Sequence, residues 1–368
     1  MGNALTIWFA AAIPASSCGG VNRLMRELAG GLTRRGHAVS IWYADSPGMH
    51  AAYPVFALCL AARFLAARPR PVWIIARSTD GVFCAIISRL FAAKTRVALH
   101  NHGWEEKVAE VERALPPGTV ITPPTTWRAR LVRFPLLRAC LGACALCQCG
   151  AIDEMRWIAR RYPRRRKKLI CVPNGVHAPD RPVWLDAEDP PPRFLWVGGF
   201  TWKKNGEYLL SLFACINALL PDARLIIIGA GAGELRRRIG KAAWAGAVEA
   251  RGQTPLEQMA ALYAECPYLI STSRYEGGHS LAILEAMAQG AVVFATGIPS
   301  TREIIRDNRT GVLLCGNDAE ADARRVLAAI DDTETMRQIR RAASREARRR
   351  SWERQVDRLE QTLMRRAA

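Results

Sequence analysis

The order of apolar and polar positions along the chain predicts alternating strands and helices. Residues 5–10 form an apolar run of strand length. After the pair Gly19-Gly20, apolar side chains recur at helical spacing as far as Leu32, and residues 37–42 form a second strand-like run. A strand, a glycine loop, a helix and a strand make a βαβ unit, whose glycine loop lies at a ligand-binding edge.

The same alternation continues through the rest of the chain and predicts two α/β domains. Further apolar runs of strand length cover 72–76, 95–100, 169–172, 194–199, 225–228, 267–272, 292–295 and 310–314. A proline-rich segment at 179–193 separates the two series and predicts a linker. We therefore expect an N-terminal domain at 1–178 and a C-terminal domain at 194–350, each a doubly wound parallel sheet.

Composition and charge restrict the class of protein. A chain of 368 residues, half of them hydrophobic, can form two cores. Its net charge of +19 favours polyanionic partners. The alternative is that the charge comes from arginines on an ordinary solvated surface. The basic run 164–168 suggests nucleic acid, but no aromatic ladder, zinc finger or recognition helix accompanies it. We therefore expect no nucleic-acid partner and keep such a protein as an alternative.

The cysteines favour a reducing compartment. Four of the eleven cluster at Cys140, Cys144, Cys147 and Cys149, but their spacing does not form two C-x-x-C pairs and no histidine is close. Apolar neighbours indicate buried thiols, so no metal site is predicted. No run of about 18 apolar residues is present, and we expect a cytoplasmic protein.

One segment suggests contact with a membrane surface. Residues 127–138 interleave arginines with large apolar side chains, as in segments that bind anionic lipid. An ordinary helix with solvated arginines is the alternative, and Pro135 interrupts either one. The first interpretation predicts peripheral association with the inner face of the cytoplasmic membrane.

The most informative stretch runs from Glu276 to Gly290. A double glycine leads into an apolar helix, and Ser280 occupies the position of an N-cap. The backbone N–H groups of His279, Ser280 and Leu281 would then be available to a phosphate or another anion. Further on, Ser300-Thr301-Arg302-Glu303 matches a capping box that would open a helix at 304–305, which gives Glu303 a structural role.

This stretch, Y-E-G-x-x-x-L-A-I-L-E-A-M-A-x-G, resembles the donor-sugar motif of family 4 glycosyltransferases, which are nucleotide-sugar enzymes with the two-domain GT-B fold. The Gly19-Gly20 loop, the His102-Gly103 pair after a strand and the P-N-G-V sequence at 173–176 are similar to other motifs of the family. The family usually has seven residues between its two glutamates, whereas eight separate Glu276 from Glu285. The resemblance covers most of residues 1–365.

The resemblance implies a role for individual residues. Gly19 and Gly20 let the backbone approach the donor phosphates or the acceptor, and His102 lies near the transferred sugar as a catalytic residue. Lys203 and Lys204 grip the leaving diphosphate, although the family's arginine is replaced by Gly199. Glu276 contacts the donor sugar and has a catalytic role, and Glu285 holds the ribose. His279, Ser280 and Leu281 complete the donor site.

The function implied is transfer of a sugar, with retention of configuration, from a UDP- or GDP-sugar to a glycan or to a polyprenyl-diphosphate or other lipid-linked acceptor. Bacterial surface polysaccharide or lipopolysaccharide assembly is the expected setting, without a cofactor or a metal ion. The implied GT-B fold places the two domains across a cleft, with a helix in 351–368 crossing back to the first domain. A GT-B fold that binds nucleotide sugar without transferring it is a further alternative, because Gly199 removes one positive charge.

Overall fold

The computed structural model describes residues 4–17, 19–50, 54–91, 94–117, 119, 127–188, 190–240 and 242–367. The chain forms two compact units. Unit 1 comprises Met1–Ala114, Pro123–Asn174 and Trp352–Ala368, and unit 2 comprises Leu115–Thr122 and Gly175–Ser351. Within the described residues, no helix combines the length and the apolar character needed to cross a bilayer.

Unit 1 is a parallel six-stranded sheet with helices. Its strands are β1 (Thr6–Ala11), β2 (Ala38–Tyr43), β3 (Trp73–Arg77), β4 (Arg96–His100), β5 (Leu146–Cys149) and β6 (Leu169–Cys171), in the order β2-β1-β3-β4-β5-β6. Its helices are α1 (Gly20–Arg34), α2 (Val55–Ala66), α3 (Val82–Leu90), α4 (Glu105–Arg113), α5 (Trp127–Ala143), α6 (Ile152–Arg161) and α14 (Trp352–Ala367). The strand order reverses beside β1, so ligands are expected at the carboxyl ends of the central strands.

The last helix completes unit 1. Trp73 on β3 is fully buried and its indole N–H donates to the carbonyl of Leu363 in α14, at 3.2 Å. Gly31 on α1 lies so close to α14 that a Cβ at this position would be only 2.4 Å from Val356. Arg35 also pairs with Glu360 at 2.6 Å. The N-terminal segments of unit 1 therefore share their core with a segment that follows unit 2 in sequence.

Unit 2 repeats the architecture. Its strands are β7 (Arg193–Val197), β8 (Arg224–Ile228), β9 (Val248–Gly252), β10 (Tyr268–Ser271), β11 (Val292–Thr296) and β12 (Val312–Leu314), in the order β12-β11-β10-β7-β8-β9, all parallel. Its helices are α7 (Gly206–Leu219), α8 (Ala232–Ile239), α9 (Leu256–Glu265), α10 (Leu281–Ala288), α11 (Pro299–Arg302), α12 (Ala319–Asp331) and α13 (Thr333–Arg348). Apolar side chains from both faces of the sheet are buried beneath these helices.

One helix differs from its predicted position. The four residues 300–303 were expected to cap a helix starting at 304, but α11 begins at Pro299 and ends at Arg302, with Ile298 at its N-cap position. Proline at the first helical position needs no amide partner and sets the backbone for the helix. Ser300 and Thr301 are consequently inside the helix, and Glu303 is free of the capping role that the sequence suggested.

Candidate functional site

In unit 1, the glycine pair begins helix α1 directly after the loop that follows β1. Gly19 is the N-cap residue, with φ of −72°, and the nearest atom to a Cβ there would be the Ser17 Oγ at 3.5 Å. Neither Gly19 nor Gly20 has a positive φ. Backbone strain therefore does not explain the pair, whereas an open approach to the first N–H groups of α1 fits an anionic or hydroxyl-bearing ligand.

His102 lies just beyond β4, at the same carboxyl edge of the sheet. Its ring packs against that of His100, with centroids 4.3 Å apart and the two planes tilted by 36°. Burial, the neighbouring His100 and the charge of Arg77 keep the pKa of His102 well below its usual range. Burial also lowers the pKa of His100 to about 4. Both imidazoles are therefore neutral near pH 7, so His102 can hydrogen-bond a sugar without adding positive charge.

The sequence reasoning missed two charged residues at this edge. Asp80 is buried, accepts a hydrogen bond from the Ala12 N–H at 2.9 Å, and has its pKa raised by burial to about 6. Arg77 ends β3 and acts electrostatically on both Asp80 and His102. Their position directly after a predicted strand was the available signal, since such positions gather at the ligand edge.

In unit 2, Lys204 and Glu276 form an ion pair. The Lys204 Nζ lies 2.5 Å from Glu276 Oε1, and the Ser273 hydroxyl donates to the same oxygen at 2.7 Å. Lys204 belongs to the loop after β7, and Glu276 belongs to the loop after the neighbouring strand β10. The fold thus brings together two residues that are 72 positions apart in sequence.

Backbone contacts hold these two loops side by side. The Thr272 hydroxyl donates to the Lys204 carbonyl at 2.8 Å, and the Arg274 N–H donates to the Lys203 carbonyl at 2.7 Å. The Lys203 ammonium lies 5.7 Å from the ring centroid of Tyr275 and at the same distance from that of Trp202. The two lysines therefore have different surroundings: a carboxylate for Lys204 and aromatic faces for Lys203.

The glycines of the β7 and β8 loops have unequal tolerance for a side chain. A Cβ on Gly229, where φ is +141°, would lie 1.9 Å from the carbonyl oxygen of Gly198. A Cβ on Gly199 would have its nearest neighbour, the Thr201 Cγ2, at an ordinary 3.7 Å. Gly229 is therefore required by packing, whereas a side chain at Gly199 fits sterically.

The helix expected to bind the donor begins where the sequence indicated. Ser280 is the N-cap residue of α10, in extended conformation, but its side chain makes no capping hydrogen bond. Glu285 lies one turn along α10 and accepts a hydrogen bond from the Tyr263 hydroxyl at 2.8 Å. Neither Gly277 nor Gly278 has a positive φ, so the extra residue between the glutamates is accommodated without left-handed backbone.

His279 is buried and contacts two partly buried charged residues that the sequence did not predict. Its ring Nε2 lies 2.9 Å from the Glu303 carboxylate and its Nδ1 lies 3.4 Å from the Arg350 guanidinium. Burial and the adjacent Arg350 lower the pKa of His279 in spite of Glu303. Glu303, assigned to a helix cap from sequence, is instead the hydrogen-bond partner of a candidate site residue.

The clustered cysteines are buried free thiols, as their apolar neighbours indicated. Cys140, Cys144 and Cys147 lie in an apolar cluster of unit 1, where burial raises the pKa of the Cys140 and Cys144 thiols. Among the residues described by the structure, no three histidine, cysteine or acidic side chains group as metal ligands would.

Comparison with known proteins identifies the family. A model described as Glycosyltransferase Family 4 matches residues 18–178, and one described as Glycosyl transferases group 1 matches residues 183–346. The chain belongs to the family 4 glycosyltransferases. The family expected from the Glu276–Gly290 stretch is thereby confirmed.

Two curated relatives share part of the chain. Phosphatidyl-myo-inositol mannosyltransferase from Mycolicibacterium smegmatis is 28% identical over 211 residues, covering 53% of this chain and 52% of the relative. D-inositol 3-phosphate glycosyltransferase from Salinispora tropica is 33% identical over 100 residues, covering 27% of this chain and 20% of the relative. The chain thus spans about half the length of the first relative and less of the second.

Solved structures match along nearly the whole chain. Sucrose-phosphate synthase from Thermosynechococcus elongatus superposes with a TM-score of 0.76 at 18% identity, covering 97% of both chains. Anabaena HepE in complex with UDP and glucose gives 0.73 at 15% identity, covering 98% of this chain and 99% of its own. At these identities the likeness shows the fold alone, and it confirms the expected α/β GT-B fold.

Proposed function

We propose that this member of the family 4 glycosyltransferases transfers a sugar from a nucleotide-sugar donor, with retention of configuration. The observation that carries the proposal is the Lys204–Glu276 pair in adjacent loops of unit 2, close in sequence to the N-terminal end of α10. A cation, a carboxylate and a helix N-terminus together suit a diphosphate joined to a sugar. The structural comparison supports it, since HepE, which has the same fold, was solved in complex with UDP and glucose.

Each residue then has a chemical task. Departure of the diphosphate develops negative charge, which Lys203, Lys204 and the N–H groups at 279–281 stabilise. Glu276 accepts hydrogen bonds from the hydroxyls of the transferred sugar, and Glu285 binds the ribose. In unit 1, neutral His102 contacts the sugar, and Gly19 and Gly20 leave room for phosphate or acceptor. No cofactor or metal ion is part of the proposal.

Nucleotide binding and turnover test the proposal. Isothermal titration with UDP-, GDP-, ADP- and TDP-sugars should identify one preferred donor. With that donor, Glu285→Ala should weaken nucleotide and nucleotide sugar alike, whereas Glu276→Ala should chiefly lower kcat because its contact is to the group being transferred. Lys204→Ala should weaken the diphosphate more than the bare nucleoside, since one charge-assisted hydrogen bond contributes roughly 1.5–3 kcal/mol. Binding by none of the four donors would overturn the proposal.

A binding protein without transferase activity is the second candidate. The observation that favours it is Gly199, which stands where the family has a phosphate-binding arginine. Tight donor binding without turnover, over a panel of acceptors, would support this candidate over the first.

For the acceptor, we propose a glycan or a polyprenyl-diphosphate or other lipid-linked sugar in surface polysaccharide or lipopolysaccharide assembly. The phosphatidyl-myo-inositol mannosyltransferase relative carries a lipid in its name. Extracts enriched in lipid-linked glycans, incubated with labelled donor, should yield labelled lipid; label that enters only water-soluble products would contradict a lipid acceptor.

We also propose that the protein is cytoplasmic and associates peripherally with anionic membranes through α5. Leu131 and Val132 are 65% and 54% exposed there, and the net charge is +19. Arg130 and Arg138 pair with Glu112 and Glu106, so they contribute less to lipid binding than the sequence suggested. Co-sedimentation with phosphatidylglycerol vesicles should decrease as salt rises and with Leu131→Ser. Equal binding to neutral vesicles would contradict the proposal.

A further inference from the structure

Four charged or titratable residues of unit 2 form a connected group that ends at the helix expected to bind the donor. We call His279, Glu303, Glu346 and Arg350 the His279 cluster. His279 is 3% exposed, with Glu303 on one ring nitrogen and Arg350 on the other. Arg350 also donates to the Glu303 carbonyl at 2.7 Å and to the Glu346 carboxylate at 3.0 Å. Arg350 therefore contacts each of the other three members, and His279 also contacts Glu303.

The two partners define the tautomer of His279. A guanidinium has only donors, so the Nδ1 that faces Arg350 must be an acceptor and carries no proton. The proton is then on Nε2, which donates to the Glu303 carboxylate. Because the ring is bonded on both edges, its rotation is fixed from both sides.

His279 lies immediately before the N-cap residue of α10. The side chain of Ser280 does not cap the first turn of α10, so no hydroxyl of the helix itself holds this end in place. The ring of His279 is attached to the residue immediately before that N-cap. A fixed ring therefore fixes the direction of the N–H groups at 279–281.

Arg350 is itself held by the backbone at the end of unit 2. Its carbonyl accepts a hydrogen bond from the Val176 N–H at 3.0 Å, and Val176 forms a parallel bridge with Ser351. Substituting the Arg350 side chain leaves this backbone bond in place. The contribution of the guanidinium can therefore be tested separately from that of the chain around it.

We infer that Glu303 and Arg350 are positioning residues for the donor diphosphate and act through His279. Neither needs to touch the donor: they keep the His279 ring, and with it the N–H groups that start α10, in a single orientation. The inference rests on the proposed function. It assigns the cluster to the diphosphate part of the ligand, because the nucleoside is bound elsewhere, at Glu285.

The experiment compares nucleoside diphosphates with bare nucleosides by isothermal titration. Arg350→Ala and Glu303→Ala should weaken UDP, or GDP if that is preferred, by about tenfold and leave uridine or guanosine within twofold. Arg350→Lys keeps the charge and one donor, so it should lose about threefold. Arg348→Ala is the matched control: it removes an equal charge two residues away, where the guanidinium contacts the carbonyls of Pro179 and Asp180. Its diphosphate Kd should match that of the wild type.

The outcomes separate this inference from the proposed function. A wild-type chain that binds no nucleoside diphosphate overturns both. Wild-type binding with an unchanged Kd in Arg350→Ala and Glu303→Ala overturns the inference alone. Equal losses for diphosphate and nucleoside also overturn it, because they indicate a general structural role. If Arg350→Ala does not fold, Arg350→Lys decides: selective loss of diphosphate affinity supports the inference and an unchanged Kd overturns it.

Discussion

At the scale of single residues, Gly199 lacks the arginine of the family motif but still has room for a side chain. The family's arginine is absent at Gly199, yet a Cβ there has no neighbour closer than 3.7 Å. The neighbouring Gly198 has less room for a side chain, since an added Cβ would lie 3.0 Å from the Lys204 side chain. The sequence identified the missing charge, but only the structure shows that the position still accepts a side chain.

Restoring the arginine should strengthen diphosphate binding. Gly199→Arg adds a guanidinium to the loop that contains Lys204, and a charge-assisted hydrogen bond to phosphate contributes roughly 1.5–3 kcal/mol. We expect the Kd for the preferred nucleoside diphosphate to fall about tenfold, measured by isothermal titration. Gly199→Gln, similar in reach but neutral, should change it little. Equal affinity in both folded variants would show that position 199 does not face the phosphates.

The buried imidazole of His100 should make stability depend on pH. Its pKa is lowered from about 6.5 to about 4, so the unfolded chain binds the proton more readily than the folded one. The contribution of His100 to the free energy of unfolding is then nearly constant above about pH 7.5 and decreases as the pH falls toward 4. This residue should account for about 2 kcal/mol between pH 7.5 and 5. Urea unfolding of His100→Gln should show a smaller decrease than wild type; identical decreases would contradict the assignment.

At the scale of elements, the sequence predicted the buried strands well and the short or polar elements poorly. The predicted strand 292–295 is β11, which has one further residue. A run of four apolar residues of this kind indicates a strand that is buried on both faces, and all four are buried. Strand β5 was missed because it has only four residues, among them the fully buried Gln148, and no alternation. Helix α4 was also missed, since its polar composition offers little hydrophobic pattern.

The sequence located the loops of the candidate site but not the contacts between distant residues. The loops after β7 and β10 were located because glycines and lysines interrupt apolar runs there. The contact of His279 with Glu303 could not be predicted, because it depends on the path of the chain between α10 and α11. Local pattern also assigned Glu303 to a helix cap, and the proline at 299 overrode it by starting the helix earlier.

The loop after β8 packs so closely on the loop after β7 that Gly229 should not tolerate a larger residue. Gly229→Ala would place a Cβ 1.9 Å from the Gly198 carbonyl in a left-handed backbone, so one loop must move. We expect a loss of at least about 3 kcal/mol in the free energy of unfolding by urea. Gly233→Ala, whose Cβ would have no neighbour within 4 Å, should stay within about 1 kcal/mol of wild type. A mild effect at position 229 would refute the close packing described here.

At the scale of the whole molecule, unit 1 is discontinuous in sequence and unit 2 is nearly continuous. The final helix α14 belongs to unit 1, where Val356 packs directly on Gly31. Two helices approach this closely only because position 31 has no side chain.

A pair of substitutions tests this contact. Gly31→Ala should destabilise unit 1 by about 1–3 kcal/mol, because the new Cβ overlaps the buried Val356 side chain. Adding Val356→Ala should recover part of the loss, as expected of neighbours that share one space. Urea unfolding of the single and double variants measures the coupling. Additive losses would show that α14 does not pack on α1 in this way.

The place of α14 also bears on the order in which the protein takes shape on the ribosome. The sheet of unit 1 is synthesised first, but the Trp73 indole finds its acceptor, Leu363, only after a further 290 residues have been made. Unit 2, whose main segment ends at Ser351, has all of that segment available earlier. A nascent chain therefore carries an unfinished N-terminal half while its later half can already fold. Chains that stall before residue 352 should depend on chaperones, because the surface that α14 covers remains exposed to water.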